Sequence, residues 1–450
     1  MGMGINREHL RNGTLTVLVI LSFFLTYRLW TAGRTMNDES LSSQMTRTAA
    51  STVNHHQADA FRPVEVVLHE SDREDIVLTS HTYPMRNLMN QTFENMLFDQ
   101  LTRSELRGYD AYLEELSTGD WLEFIYLEEL PLGIIEQTFD NLSRDVANTF
   151  FNRMLVNVND RSQVYFYNTN TEIFHVASVV ENQGINIEPF LNQDNLPYVE
   201  AIPYIVDKNI IYITTNPVDI SYKSYVIDQL PNQVYINNFF PDTSLVDPRS
   251  NGNITRYIDL TKEVSINDNT ETLNYLRQIT EPGELDATTR YVRSFEQVNR
   301  FENWADTVVL ANYNQSTETI SFRRELDGIQ VFSSFDYESV TDISLVESGV
   351  THLKLPLRFI RTPIAIPETD AEGEKRQLIA GTELLEDIQN NVSLETFDNI
   401  EDITIGYTWI DSIENNQVVN FTPEWYIKIS GTWVSYQDLL NQQEERAYGF

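Results

Sequence analysis

Between Arg11 and Arg28 the chain runs for 16 residues, Asn12 to Tyr27, without a charge, and the centre of that run, Leu15 to Leu25, is almost wholly apolar. Extended through Leu29 and Trp30 as a helix, the stretch comes close to the ~30 Å hydrocarbon core of a bilayer. Arg28 can snorkel to the interface, where Tyr27 and Trp30 also settle. The segment fits a single membrane crossing over residues 14–30. A cleaved signal peptide competes, because Thr31-Ala32-Gly33 is a small-residue stretch, but Trp30 and Arg28 spoil the cleavage region. A buried core helix is the third reading. Arg7 and Arg11 before the span balance Arg28 and Arg34 after it, so the positive-inside rule is tied. The short leading tail, residues 1–13, favours a cytoplasmic amino terminus and an extracytoplasmic body.

The span divides the charge. With 31 Lys plus Arg against 67 Asp plus Glu the formal charge is −36, yet residues 1–50 hold five arginines against Glu8, Asp38 and Glu39, so everything after residue 50 carries −38. A body this acidic repels phosphates and lacks the counterion release that drives nucleic-acid binding; no nucleic-acid partner is expected. With no cysteine in 450 residues, disulfides, thiolate zinc sites, iron–sulfur clusters and cysteine nucleophiles are excluded together. The 41% hydrophobic content is enough for sizeable cores, and the length suggests two or three domains.

Residues 31–60 are polar and aperiodic, which reads as a tether. An N-terminal α+β domain is expected over 61–205, a central domain over 206–305 and a C-terminal α+β domain over 306–450. Val64–Leu68, Asp75–Leu78, Trp121–Tyr126 and Ile210–Ile213 read as strands, and Val164–Tyr167 with Glu172–Val176 as a hairpin. Helical spacing is read over Leu88, Met89, Phe93, Met96, Leu97 and Leu101, over Val146–Leu155, Tyr225–Phe240 and Leu378–Asn390. Alternation on both sides of Asp327-Gly328 predicts a second hairpin. The fold class expected is α+β: antiparallel sheets with packed helices, on one N-terminal transmembrane helix.

Motifs for chemistry are missing. There is no phosphate loop, dinucleotide fingerprint, nucleophile elbow or His-Glu-x-x-His pair. His55-His56 are adjacent in the tether and point apart, which suits a solvated linker better than a metal site. Asn267-Asp268-Asn269-Thr270-Glu271 is rich in oxygen, but it lacks the glycine of a calcium loop and reads as a turn. No catalytic residue, cofactor or metal is assigned. The candidate contact surface is on the spanning helix: Ser22 and Thr26 lie four apart, and Leu15, Leu18, Val19 and Leu29 continue the stripe, a pattern suited to close helix–helix contact. The alternative is that each hydroxyl bonds back to its own helix and faces lipid.

The opening Asn6-Arg7-Glu8-His9-Leu10-Arg11 with the apolar run to Trp30 resembles the start of the YycH (WalH) family of Gram-positive bacteria. Tyr257-Ile258-Asp259-Leu260-Thr261-Lys262 leading to Leu273-Asn274-Tyr275, and Phe322-Arg323-Arg324 with Leu326 to Phe332, are similar to that family's later domains. The resemblance implies a non-enzymatic accessory regulator of the WalK/WalR (YycG/YycF) two-component system, which controls cell-wall metabolism. It implies three extracytoplasmic domains, the later ones like the partner protein YycI, and association of the membrane helix with YycI and the sensor histidine kinase. Two other classes fit the residues: an extracytoplasmic binding protein for a cation or cationic peptide, and a membrane-anchored cell-wall hydrolase, which would need a pocket of converging polar groups.

Overall fold

In Glu65–His69, Trp121–Pro131 and Phe150–Asn157 almost every side chain is buried on one face or the other, so these segments form the centre of a sheet covered on both sides. The structure, a computed structural model, describes residues 53–441 apart from 72–74, 94–96, 139–142, 181–184, 192–195, 207, 241, 244–245, 281–282 and 365–374. The segment 14–30 and its Ser22/Thr26 stripe lie outside the described residues. Among those described, no helix is long and apolar enough to cross a membrane.

The three central strands pair antiparallel, with Val66 opposite Phe124 and Phe124 opposite Met154. Gln163–Asn168, Ile173–Val179 and Phe98–Arg107 extend the sheet on one side, and Ile76–Thr79, Val199–Val206 and Asn209–Thr214 on the other, nine strands in all among the described residues. One face, carrying Val66, Leu68, Phe124, Met154 and Val156, joins the main core of the molecule. On the opposite face, Val67, Trp121, Leu155 and Tyr167 pack under Tyr112 and Leu116 of the helix Gly108–Thr118.

The second sheet has fourteen strands among the described residues. It runs from the exposed hairpin Asp247–Asn251/Ile254–Ile258 through Lys262–Asn267 and Thr272–Arg277 to Gly349–Pro356, Val340–Val346 and Thr319–Leu326. From there it passes through Ile329–Phe332 to Ile400–Asp411, Val418–Ile429, Lys223–Gln229 and Arg358–Pro363. Its pairings are antiparallel except between Ile329–Phe332 and Ile400–Asp411. The helix Ala287–Phe301 starts on an Asp286 side chain that accepts from the Thr289 N–H at 2.9 Å, and buries Tyr291, Phe295, Val298 and Phe301 along one stripe.

Three helical expectations hold only in part. Phe150–Asn157 and Lys223–Gln229 are strands, leaving only the short helices Arg144–Ala147 and Asn232–Phe239; Leu101 sits in the Phe98–Arg107 strand, and the preceding helix is Met85–Phe93. Phe150–Asn157, buried on both faces, has no periodicity to separate strand from helix, whereas Lys223–Gln229 has no buried residue and is set as a strand by its pairing with Val418–Ile429 and Arg358–Pro363. Asn267–Glu271 is a hairpin turn whose oxygens are already used: Asn267 Oδ1 accepts from the Asn269 N–H at 3.0 Å, and Glu271 pairs with Arg358 at 2.5 Å.

The described residues pack as one compact unit. The Phe61 ring lies 5.9–6.1 Å from Tyr291, Phe295 and Phe322, the Tyr291 hydroxyl donates to the Glu129 carbonyl at 3.0 Å, and Arg62 forms a buried ion pair with Glu325. At the Asp327-Gly328 hairpin tip, Gly328 has φ +77° and a Cβ there would come 2.2 Å from the Ser80 carbonyl oxygen. Only glycine fits that contact, and the Ser80 hydroxyl donates to the Gly328 carbonyl at 2.8 Å.

Candidate functional site

Side chains alternate along a strand, so Glu65, Val67 and His69 share a face with Glu123, Ile125, Arg153, Leu155, Ile210 and Tyr212 of neighbouring strands. The helix Gly108–Thr118 covers part of that face. The remainder, around Glu65, Ile125, Arg153 and Ile210, faces residues of the second sheet across a solvent-open cavity of about 490 Å³. Glu325, Gln330, Asp402, Trp425 and Lys428 line that side.

Under the helix the charges form a closed network. Glu123, fully buried, accepts from the Tyr212 hydroxyl at 2.7 Å, from His69 Nε2 at 3.0 Å and from the Tyr112 hydroxyl, with Arg153 Nε 3.5 Å away. His69 Nδ1 reaches Asp75 at 2.9 Å. Burial alone would drive His69 down, but hydrogen bonds to two carboxylates overcome it and lift the imidazole to about 9. Burial likewise opposes the charge on Glu123, yet its partners hold the carboxyl below its usual value.

Toward the cavity the balance reverses. Burial and then the neighbouring Asp402 push Glu65 up to about 8; burial lifts Glu128 to about 7 against the pull of Lys428, 3.6 Å away; and burial lifts Glu325 to about 7 against Arg62. Asp402 is raised by burial as well.

Residues 8–193 match the YycH protein, N-terminal domain, and residues 208–445 match the YycH protein, C-terminal domain. The chain belongs to the YycH family. A curated relative, the "Two-component system WalR/WalK regulatory protein YycH" of Bacillus subtilis (strain 168), is 20% identical over 459 residues, which cover 97% of this chain and 98% of that protein. The crystal structure of YycH from Bacillus subtilis aligns over 86% of this chain and 98% of that one, at 14% identity and a TM-score of 0.66, so the two share a fold of helices and antiparallel sheets.

Within this YycH-family chain the tandem arginines quoted for the resemblance are structural. Arg323 makes two bonds to Asp336, at 2.6 and 3.1 Å, and lies 4.3 Å over the Phe332 ring, while Arg324 points to the other side of the strand and binds Glu302 at 2.6 Å. His55 is packed into the body, its N–H donating to Asn299 Oδ1 at 3.0 Å. Among the described residues no group of three or more His, Asp or Glu side chains is placed to hold a metal ion. Glu65, Glu123 and Arg153, which build the cavity and network of this chain, stand in the sequence without a motif around them. Their signal is there: each is a lone charge inside an apolar strand, in Val-Glu-Val-Val-Leu, Trp-Leu-Glu-Phe-Ile and Phe-Asn-Arg-Met-Leu.

The chemistry open to the cavity follows from the shifts. Glu65, Glu128, Glu325 and Asp402 are all pushed toward the neutral form by burial, which couples protonation of the cavity lining to folding. A carboxyl so shifted stays protonated in the folded chain while its unfolded counterpart, at the usual 4.5, ionises. The folded state therefore binds more protons over that window, and stability falls as pH rises, by about 1.4 kcal/mol per pH unit for each such proton. The contribution is complete below pH 4.5 and gone above about 7 for Glu128 and Glu325 and about 8 for Glu65. Thermal unfolding midpoints measured from pH 5 to pH 8 are expected to decline, and Glu65→Gln, fixing the neutral shape, to flatten the upper part of the decline; a flat wild-type profile would contradict the shifts.

Proposed function

We propose that the chain is a membrane-anchored regulator, not an enzyme, that binds a YycI-like partner and modulates the WalK (YycG) sensor histidine kinase controlling cell-wall metabolism. The support is kinship along almost its whole length with a protein named for regulating WalR/WalK. In this reading residues 14–30 cross the cell membrane once with the amino terminus cytoplasmic. Residues 31–60 lead to an extracytoplasmic body of three units, 61–205, 206–305 and a YycI-like 306–450, with the end of that tether, from His55 through the helix Gln57–Ala60, packed into the body. Leu15, Leu18, Val19, Ser22, Thr26 and Leu29 face the helices of the kinase and its partner, and no cofactor or metal takes part. The regulator acts by binding one signalling state of the kinase better than the other.

Exchanging residues 14–30 for an unrelated spanning helix, at matched protein level, is expected to change WalK-dependent transcription. Unchanged output would reduce the helix to a tether. Ser22→Leu with Thr26→Leu is the finer version: two interhelical hydrogen bonds of about 0.6 kcal/mol each shift a two-state balance by up to about sevenfold. Cross-linking from positions 22 and 26 in intact membranes should then capture the kinase or the YycI-like protein.

A further inference from the structure

The hairpin Asp247–Asn251/Ile254–Ile258 closes on an Asn-Gly step, a dipeptide that occurs twice in the chain, at Asn251-Gly252 and, outside the described residues, at Asn12-Gly13. Asn251 pairs with Ile254, so Gly252 and Asn253 are the two residues of the turn, and Gly252 takes the first position with φ +59°. The strand Asp247–Asn251 is the end of the second sheet, pairs with Ile254–Ile258 and is exposed at every residue. With no buried side chain to hold it, its last pair opens at little cost.

Asparagines that open other turns are locked. Asn157 Oδ1 accepts from the Asn159 and Asp160 N–H groups, both at 2.9 Å, and Asn168 Oδ1 from Asn170 and Thr171, both at 2.9 Å. Asn267 Oδ1 accepts from Asn269 at 3.0 Å, and Asn314 Oδ1 from Ser316 and Thr317 at 3.0 and 3.2 Å. Such bonds hold the side chain in one rotamer, and each of these asparagines is followed by a residue that carries a Cβ. Asn251 has no side-chain hydrogen bond among the described residues. Nothing lies within 4 Å of the place where a Cβ of Gly252 would stand, so the Gly252 nitrogen is open to the Asn251 side chain.

The surroundings also favour an anionic product. Arg249 and Arg256 are directly opposed across the hairpin, and alternation puts both on the face that carries Asn251. Like charges so placed repel. Arg256 has Glu263 at 3.2 Å, whereas Arg249 has no ion pair among the described residues. A carboxylate at position 251 arrives two residues along the same face from that unpaired guanidinium.

We propose that Asn251 is a self-modification site, converted through a cyclic imide with Gly252 to aspartate and isoaspartate. The Gly252 backbone nitrogen, giving its proton to hydroxide, attacks Asn251 Cγ; the N–Cγ bond forms, the Cγ–Nδ2 bond breaks, and the amide nitrogen takes a proton from water and leaves as ammonia. Water then opens the five-membered ring. Addition at Cγ leaves aspartate in an ordinary peptide link, and addition at the Asn251 main-chain carbonyl carbon leaves the chain running through Cγ, as isoaspartate. In sum one water enters and one ammonia departs, and nothing is oxidised or reduced. The hairpin gains a negative charge and, in the isoaspartate form, an extra backbone methylene that displaces the chain against its register. The conversion is independent of the regulatory reading.

Peptide mapping by mass spectrometry tests it. The full-length chain in a neutral detergent is held at 37 °C, at pH 6 and at pH 8.5, and sampled over days against a time-zero control; trypsin releases residues 250–256, and fragment masses assign the altered position. The expected result is a gain of one mass unit at Asn251, at least tenfold faster at the higher pH, with aspartate and isoaspartate both present and Asn157, Asn168, Asn267 and Asn314 unchanged. Asn251→Gln, which would need a six-membered ring, and Gly252→Ala, whose methyl crowds the nitrogen, should each slow the conversion at least tenfold. Three results would overturn the proposal: no gain at Asn251 over a period in which the synthetic peptide of residues 250–256 converts, aspartate without isoaspartate, which marks direct hydrolysis of the side chain, or conversion of the locked asparagines as fast as Asn251.

Discussion

Replacing Glu302 by Leu is expected to remove about 3–5 kcal/mol of stability, the cost of leaving a buried cation without its partner. Glu302 and Arg324 are each 1% exposed and meet through two contacts, Nη2 to Oε1 at 2.6 Å and Nε to Oε2 at 3.3 Å. The carboxylate also accepts from the Asn303 and Trp304 N–H groups at 2.9 and 3.0 Å and from the Thr341 hydroxyl at 3.1 Å. Arg324 in turn donates to the carbonyls of Glu338 and Arg358, at 2.8 and 2.7 Å, and its guanidinium lies 5.0 Å over Trp304. One pair thus ties the end of the Ala287–Phe301 helix to three strands of the second sheet. Because a domain's total stability is only about 5–15 kcal/mol, the single variant should lose a large share of that margin and unfold at a clearly lower denaturant midpoint. In Glu302→Leu with Arg324→Met neither charge is stranded, so the double variant should lose clearly less than the two single losses combined. Denaturant unfolding of the four proteins measures the coupling; strict additivity would mean that the pair is solvated.

The elements legible in the sequence are those with β-prone composition bounded by turn chemistry. Strands at Glu65–His69 and Trp121–Pro131, the Gln163–Asn168/Ile173–Val179 hairpin and the Asp327-Gly328 turn follow from it, and all are present. Asp327 with φ 50° and Gly328 with φ 77° fit the Asp-Gly signal for positive φ at both central residues. The strands misread as helix, Phe150–Asn157 and Lys223–Gln229, carry no such signature. The Ala287–Phe301 helix escaped because its buried stripe includes Arg290 and Ser294 among Tyr291, Phe295 and Val298, so hydropathy alone dilutes it. Arg290 lies in that stripe because it pairs with Glu318 at 2.6 Å, a partner 28 positions away that no local window sees.

The functional surface was legible in the opposite proportion. The segment proposed to span the membrane is marked in the sequence by what it lacks, a charge over 16 residues, whereas the cavity is assembled from residues between 64 and 428 that become neighbours only when two sheets meet. In a chain with 67 carboxylates, proximity of any two has no sequence signal. What distinguishes Glu65 and Glu123 from the rest is their setting: a charge between Val64 and Val66, or between Leu122 and Phe124, must be buried once the strand is central, and a buried charge needs a partner.

Glu123 shows how much such a setting demands. Glu123→Leu should cost about 3–5 kcal/mol, because it strands the protonated His69 and Arg153 and removes the acceptor for two buried tyrosine hydroxyls. Glu123→Gln is the more telling variant, since the amide keeps the shape and one acceptor but not the charge. In the wild type His69 stays protonated to about pH 9 through its bonds to Asp75 and Glu123, while the unfolded imidazole titrates near 6.5. The folded chain holds an extra proton between those values, so His69 adds stability that is complete below pH 6.5 and lost as pH rises through 9. Without the Glu123 charge, burial regains ground, the folded imidazole titrates lower, and that limb contracts toward pH 7. Following the His69 ring protons by NMR from pH 6 to pH 10, alongside unfolding midpoints, reads both halves of the prediction: a downward move of the titration and a flatter decline above pH 8. An unmoved His69 would mean that Asp75 alone holds the proton and that Glu123 serves only the tyrosines and Arg153.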